Sequence, residues 1–208
     1  MYNLKFKGIY KNEQQLLDGK LLPESAQRIN APSGIVEENL FGVLFIPFII
    51  SINLIIFFSK EFYIECDIIT LNICSILSLI VSFIFSLMCI FISMYILYNK
   101  KLEKEVWIHV KSLTIFIHCN GLALRKRYVL INLLPILLFG LIPNILWAIG
   151  IFDSNFYLSF SIMMFCSIFI LFNVGQVIKA IKVLKQAPKN SMIINHGFKL
   201  YWYKEESL

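Results

Sequence analysis

The side chains able to do chemistry in this chain are few and widely scattered. Three histidines, His109, His118 and His196, lie outside the apolar segments, and His118 is followed directly by Cys119. The five cysteines, Cys66, Cys74, Cys89, Cys119 and Cys166, are an odd number without a CxxC pair, so no disulfide framework follows. Ser75, Ser78, Ser82, Ser86, Cys89 and Ser93 recur at spacings of three and four, which puts them on one helical face. Ser86 or Cys89 could act as a nucleophile only with a base beside it, and that face carries no acid or base. A stripe of small residues serves close helix packing in lipid, so this one is expected to be the seam of a helical bundle. A polar site from His118, Cys119 and His196 would require tertiary convergence that no spacing supports.

The elements that must position these residues are set by where charge is missing. The chain has 208 residues, 58% hydrophobic, with Phe alone supplying 19 and a mean hydropathy of +0.74. Only 15% are charged, against about 25% in soluble domains. Residues 39–59, 68–99, 128–152 and 154–178 contain no Asp, Glu, Lys or Arg. At about 1.5 Å per residue the shortest window reaches about 31 Å, the thickness of a hydrocarbon core. This composition excludes a secreted disulfide scaffold, a disordered chain, a nucleic-acid-binding domain and an ordinary cytosolic enzyme. The expected fold class is an all-α membrane protein, with four transmembrane helices and small cytosolic β elements.

Lys and Arg number five in 1–38, one in 60–70, none near 153, seven in 99–128 and six after 178. Four spans with both termini inside satisfy the positive-inside rule, and the net charge of +6 follows from topology without nucleic acid. The first 38 residues hold ten charges and no apolar run suited to a signal peptide, so the first span is expected to stay as an anchor. The expected layout is a cytosolic segment 1–38, a membrane domain 39–178 and a cytosolic end 179–208. The spans are expected near 40–58, 72–98, 129–151 and 155–176, with a cytosolic loop over 99–128. Phe57, Phe58, Phe62 and Tyr63 mark the outer interface of the first span.

Leu4 to Tyr10 alternates as a short strand, and Val106 to His118 reads as one or two more. Pro47 interrupts the first span, and Pro135 and Pro143 the third. Asp153, Ser154 and Asn155 are expected to turn tightly into the fourth span, whose helix runs on past Gln176 until Pro188 stops it. Ser191 to Tyr203 reads as a hairpin turning at Asn195-His196-Gly197. These cytosolic pieces are expected to pair into one small sheet.

Several stretches then carry a resemblance. They are Phe6-Lys7-Gly8-Ile9-Tyr10, Leu21-Leu22-Pro23-Glu24-Ser25-Ala26, Ile46-Pro47 and Phe116-Ile117-His118-Cys119. Arg127-Tyr128-Val129 to Leu134-Pro135, Gly175, Ala187-Pro188-Lys189 and Asn195-His196-Gly197-Phe198 continue them in order. Together they resemble the bacterial zincin peptidase family, once described only as a domain of unknown function, over nearly the whole chain. The resemblance implies an HExxH motif on the second span, with two His for zinc and a Glu as base, and an Asp after the Gly of the last span. Counted back from Lys100-Lys101, the motif should fall at 86–93, where the chain reads Ser86-Leu87-Met88-Cys89-Ile90-Phe91-Ile92-Ser93. Gln176 follows Gly175 in place of Asp. The region Ser86, Leu87, Cys89, Ile90 and Gln176 is therefore a degenerate form of the motif, without zinc ligands or base. Zinc, the cofactor the resemblance implies, is not supported by these residues.

The expectation is thus a bacterial multi-pass cell-membrane protein that keeps a peptidase-like scaffold without its chemistry. Its partners would be the lipid bilayer and a membrane protein or hydrophobic peptide. The alternatives are an active membrane metallopeptidase with atypical ligands, predicting chelator-sensitive proteolysis, and a transport accessory protein. Against transport, the four spans hold no ionisable Asp, Glu, Lys, Arg or His.

Overall fold

The computed structural model describes residues 4–17, 22–60, 67–98, 103–110 and 114–204. Phe62, Tyr63, Cys66, Lys100 and Lys101, singled out above, lie outside the described residues. Four helices dominate: α1 (Ile35–Ser59), α2 (Ile68–Leu97), α3 (Arg125–Ala148) and α4 (Phe156–Gln186). Each is long and apolar enough to cross a membrane. They form because leucine, isoleucine and phenylalanine run almost uninterrupted, and in lipid only a helix satisfies every backbone group within its own segment. The expected spans are matched within a few residues, although α2 begins four residues earlier and α3 ends three residues earlier. The α3–α4 connection is correspondingly longer than the tight turn expected, running over 149–155 with Gly150 at φ +89°.

Within α3, residues Ile136–Leu141 widen into a π-helical stretch directly after Pro135. Neither Pro135 nor Pro143 can donate to the helical ladder, and the wider register accommodates the interruption. Gly140 lies in this stretch because α4 passes so close: a Cβ there would sit 2.7 Å from Ile170 Cγ1. α4 has 31 residues, about ten more than a hydrocarbon core requires. It ends two residues before Pro188, with the Gln186 amide exchanging hydrogen bonds with the Asn30 backbone.

The chain divides into two compact units. One comprises Asn39–Met88 and Leu134–Val174, the apolar helical segments. The other comprises Met1–Glu38, Cys89–Leu133 and Gly175–Leu208. The second unit has a core of Ile29, Leu97, Tyr98, Cys119, Ala123, Tyr128, Val183, Ile193 and Leu200, among others.

The β structure of this unit corrects the expectation of a single sheet. β1 (Leu4–Ile9), β3 (Lys104–His109) and β4 (Thr114–His118) form one sheet, in the order β1-β3-β4. β2 (Gln27–Ile29), β5 (Leu122–Leu124), β6 (Met192–His196) and β7 (Lys199–Tyr203) form another, in the order β2-β7-β6-β5. The division falls at Cys119–Gly121, where the Gly121 N–H donates back to the Cys119 carbonyl at 3.0 Å and breaks the strand. β4 and β5, consecutive in the chain, therefore diverge. β1 pairs in parallel with β3, with a bulge between Phe6 and Gly8. The hairpin turn also sits later than expected, at Gly197–Phe198, with Asn195 and His196 inside β6. Gly197 supplies the positive φ, +62°, that this two-residue turn demands.

Register fixes what each face of the three-stranded sheet carries. Phe6, Val106 and Ile117 form one cross-strand row, and Ile9, Ile108 and Ile115 another on the same side. Leu4 and Lys104 begin that side. The opposite side carries Glu105 with His118 and Trp107 with Phe116. Glu105, Trp107 and His118 are buried there, and Tyr10 sets its ring edge-on to Phe116, His109 and Phe198.

Candidate functional site

The small-residue stripe of α2 is buried at its centre and turned toward α4. Ser78 Oγ donates to the Ser161 carbonyl at 3.3 Å, and Ser82 Oγ donates to the Phe165 carbonyl at 3.0 Å. Ser86, at the start of the stretch where the resemblance would place its motif, accepts a 3.1 Å hydrogen bond from Asn173 Nδ2. The partners advance together along both chains, so α2 and α4 run in the same direction along this seam. Small side chains allow the approach, and the hydroxyls of Ser78, Ser82 and Ser86 each find a carbonyl or amide across it, as hydrocarbon surroundings require. In the rest of the motif region, Cys89 is buried and Leu87, Ile90 and Gln176 are partly buried.

A second polar contact ties α1 to α4: Asn53 Nδ2 donates to Ser167 Oγ at 2.6 Å, and Ser167 Oγ donates to the Met163 carbonyl. Asn53 and Asn173 are both buried. The seam is thus polar but uncharged. It can hold helices in register or offer amide and hydroxyl groups to a peptide; it has no group suited to general base work.

Beyond the end of α1, a charged cluster gathers residues that lie far apart in sequence. Lys60 Nζ lies 2.7 Å from Asp153 Oδ1, donates to the Trp147 carbonyl and stands 4.6 Å over the Trp147 ring. The indole N–H donates to Ser159 Oγ at 2.9 Å, and Ser159 Oγ donates to Asp153 at 3.1 Å. Trp147 and Ser159 are fully buried. Gly150 belongs to the same cluster, because a Cβ there would stand 3.0 Å from Asp153 Oδ2. Sequence reasoning placed Lys60 and Asp153 in outer connections but gave no sign that they pair. The available signal was that Asp153 is the lone charge between two long apolar windows and Lys60 the one basic residue of its connection.

The histidines are placed apart in role. His118 is buried on β4, 2.8 Å from Asn120 Oδ1. Asn120 donates through Nδ2 to the Leu16 carbonyl, so its oxygen faces the imidazole and Nε2 must carry the proton. Cys119 lies in the apolar core, where a thiol behaves as a small hydrophobe. His196 is only partly buried, at the end of β6, edge-on to Tyr201. Among the described residues, no group of three or more His, Cys, Asp or Glu could hold a metal ion, so His118, Cys119 and His196 do not converge into such a group. Lys104 was missed as well: it is fully buried on β3, with its ammonium 4.5 Å over the Tyr95 ring. Comparison with protein-family models, with curated proteins and with solved structures finds no match to this chain.

Proposed function

We propose that the chain is a non-catalytic multi-pass membrane protein, a pseudoenzyme on a peptidase-like scaffold, that binds a membrane peptide or partner subunit. In this reading both termini are cytosolic and the membrane is a bacterial cell membrane, as the distribution of Lys and Arg and the resemblance to zincin peptidases suggest. The observation that carries the reading is the Asn173–Ser86 hydrogen bond. It occupies the α2 face where the resemblance places the zinc ligands, and it joins two neutral side chains. A zinc-activated water needs ligands and a base at that point, and Ser86, Cys89 and Gln176 supply neither. A buried amide and hydroxyl retain the ability to bind a peptide backbone, which suits recognition without chemistry.

The test of the binding role is crosslinking in native membranes, from photoreactive groups placed at Leu87 and Ile90, followed by purification and identification of the adduct. A discrete adduct to one membrane peptide or subunit is expected. Adducts to lipid alone would contradict the proposal.

A further inference from the structure

One face of the three-stranded sheet, carrying Glu105, Trp107, Phe116 and His118, is covered except at the Lys5 edge, and the other, apolar but for the buried Lys104, is open where solvation favours burial. Leu4, Phe6, Ile9 and Ile115 are 42%, 67%, 54% and 46% exposed on the open side. Glu105, Trp107 and His118 on the other side are buried, and Phe116 on that side packs against Tyr10 and Phe198. We propose that the open face of β1, β3 and β4 lies in the headgroup–acyl boundary of the same bilayer that the helices cross, as an interfacial sheet anchored beside the inner end of α2.

The occupant is identified by where the face begins. Lys104 shares its first cross-strand pair with Leu4, and the Lys104 ammonium rests over Tyr95, in the last turn of α2. The open face therefore starts against the end of a helix apolar enough to span the membrane. Only residues 98–103 separate α2 from β3. Arg127 donates to the Ile96 carbonyl in that same last turn and is itself exposed, as is Lys126. Cations at this level are what an anionic headgroup layer favours. Tyr95 and Lys104 have the form of interfacial residues, apolar along their length and polar at the tip.

Size argues against a soluble partner. Three strands at about 4.8 Å spacing, each about 17–20 Å long, present roughly 250–300 Å². A stable protein interface takes about 800 Å² from each side. A bilayer boundary has no such minimum, and an apolar face flanked by cations is the pattern that interfacial elements share.

The test uses the full chain in vesicles containing anionic lipid, with single changes Phe6→Cys, Ile115→Cys and Lys5→Cys. Lys5 is exposed on the opposite side of β1 and serves as the solvated reference. Modification by a water-soluble maleimide is measured above the unsubstituted chain's background. The cysteines at 6 and 115 should react at least about tenfold more slowly than the one at 5, as burial at the lipid boundary implies. A nitroxide at 6 or 115 should collide with oxygen more than with a water-soluble nickel complex. Equal maleimide rates at all three positions would overturn the proposal. So would protection that vanishes on dilution of protein in lipid, which would assign the face to a second copy. Either variant suffices if the other misfolds.

Discussion

Asn173 on α4 donates to Ser86 on α2 at 3.1 Å and, with the same nitrogen, to the Phe169 carbonyl of its own helix at 2.8 Å. The amide thereby spans the seam while satisfying a backbone group one turn away. Interhelical hydrogen bonds in membranes couple by about 0.6 kcal/mol on average and up to about 1.7. Asn173→Ala and Ser86→Ala should each destabilise the folded state by about 0.5–1.5 kcal/mol, and a double-mutant cycle should return a coupling near 0.6 kcal/mol. Reversible unfolding in mixed micelles measures it. Strict additivity would mean that the contact is not formed.

Lys60 should contribute more than a surface cation. It is almost buried, and its loss removes the ion pair of Asp153 and one of the hydrogen bonds to the Trp147 carbonyl, leaving them to Ser159 and the Gly150 N–H. Lys60→Met should cost about 1–3 kcal/mol, the range for unpairing a partly buried polar group. The double change Lys60→Met with Asp153→Asn should cost less than the two singles summed. Trp147 emission should change in both single variants, because the indole sits beneath the ammonium and bonds to Ser159.

Two glycines should respond differently to the same substitution. A Cβ at Gly121 would collide with the Tyr98 ring, whose hydroxyl accepts a 2.7 Å hydrogen bond from Asn195. Gly121→Ala must displace that ring from the core, at a cost of about 1–3 kcal/mol. Gly140→Ala meets the side chains of Ile170, at 2.7 Å, and Ile136, at 3.4 Å, and recovers up to about 1 kcal/mol of helix propensity. Thermal unfolding should therefore rank Gly121→Ala well below Gly140→Ala.

Much of the membrane architecture was legible because hydrocarbon leaves few options. Windows without charge located α1–α4, and the spacing of Ser78, Ser82 and Ser86 identified the face that meets α4. What was hidden depended on long-range pairing. Lys104 and Glu105 stand in a charged run just ahead of the strand expected from Val106, yet they are the first two residues of β3 and both are buried. Tyr95 lies under one, and Lys7 and Trp107 bond to the other. Local sequence carries none of that. Nor does alternation in Leu4–Ile9 reveal that β1 would add in parallel to β3 or keep its apolar side open. At the site, the absence of His, Asp and Glu from α2 was visible from the start; the neutral Asn173 partner of Ser86 was not.

The edge where β1 meets β3 should set a shallow pH dependence. The hydrogen bond from Lys5, with the charges of Lys5 and Lys7, holds the Glu103 carboxyl below its ordinary value of 4.5. Its contribution is complete above that value and fades as pH falls toward the lowered one. Lys7 shifts the opposite way, raised above 10.5 chiefly by its hydrogen bond to Glu105. Its contribution is complete below 10.5 and is lost as pH rises through the raised value. Emission from Trp107, whose indole bonds to Glu105, should be flat between about pH 6 and 9 and change outside that range. Glu103→Gln should remove its share of the acid-side change. High salt should weaken both sides, since Lys5 and Lys7 are exposed.

The proposed absence of peptidase chemistry is measured by the zinc content of the full chain purified from membranes without chelator. Far less than one zinc per chain is expected, with a thermal midpoint unchanged when chelator is then added. One tightly bound zinc per chain, removed by chelator with loss of stability, would contradict it.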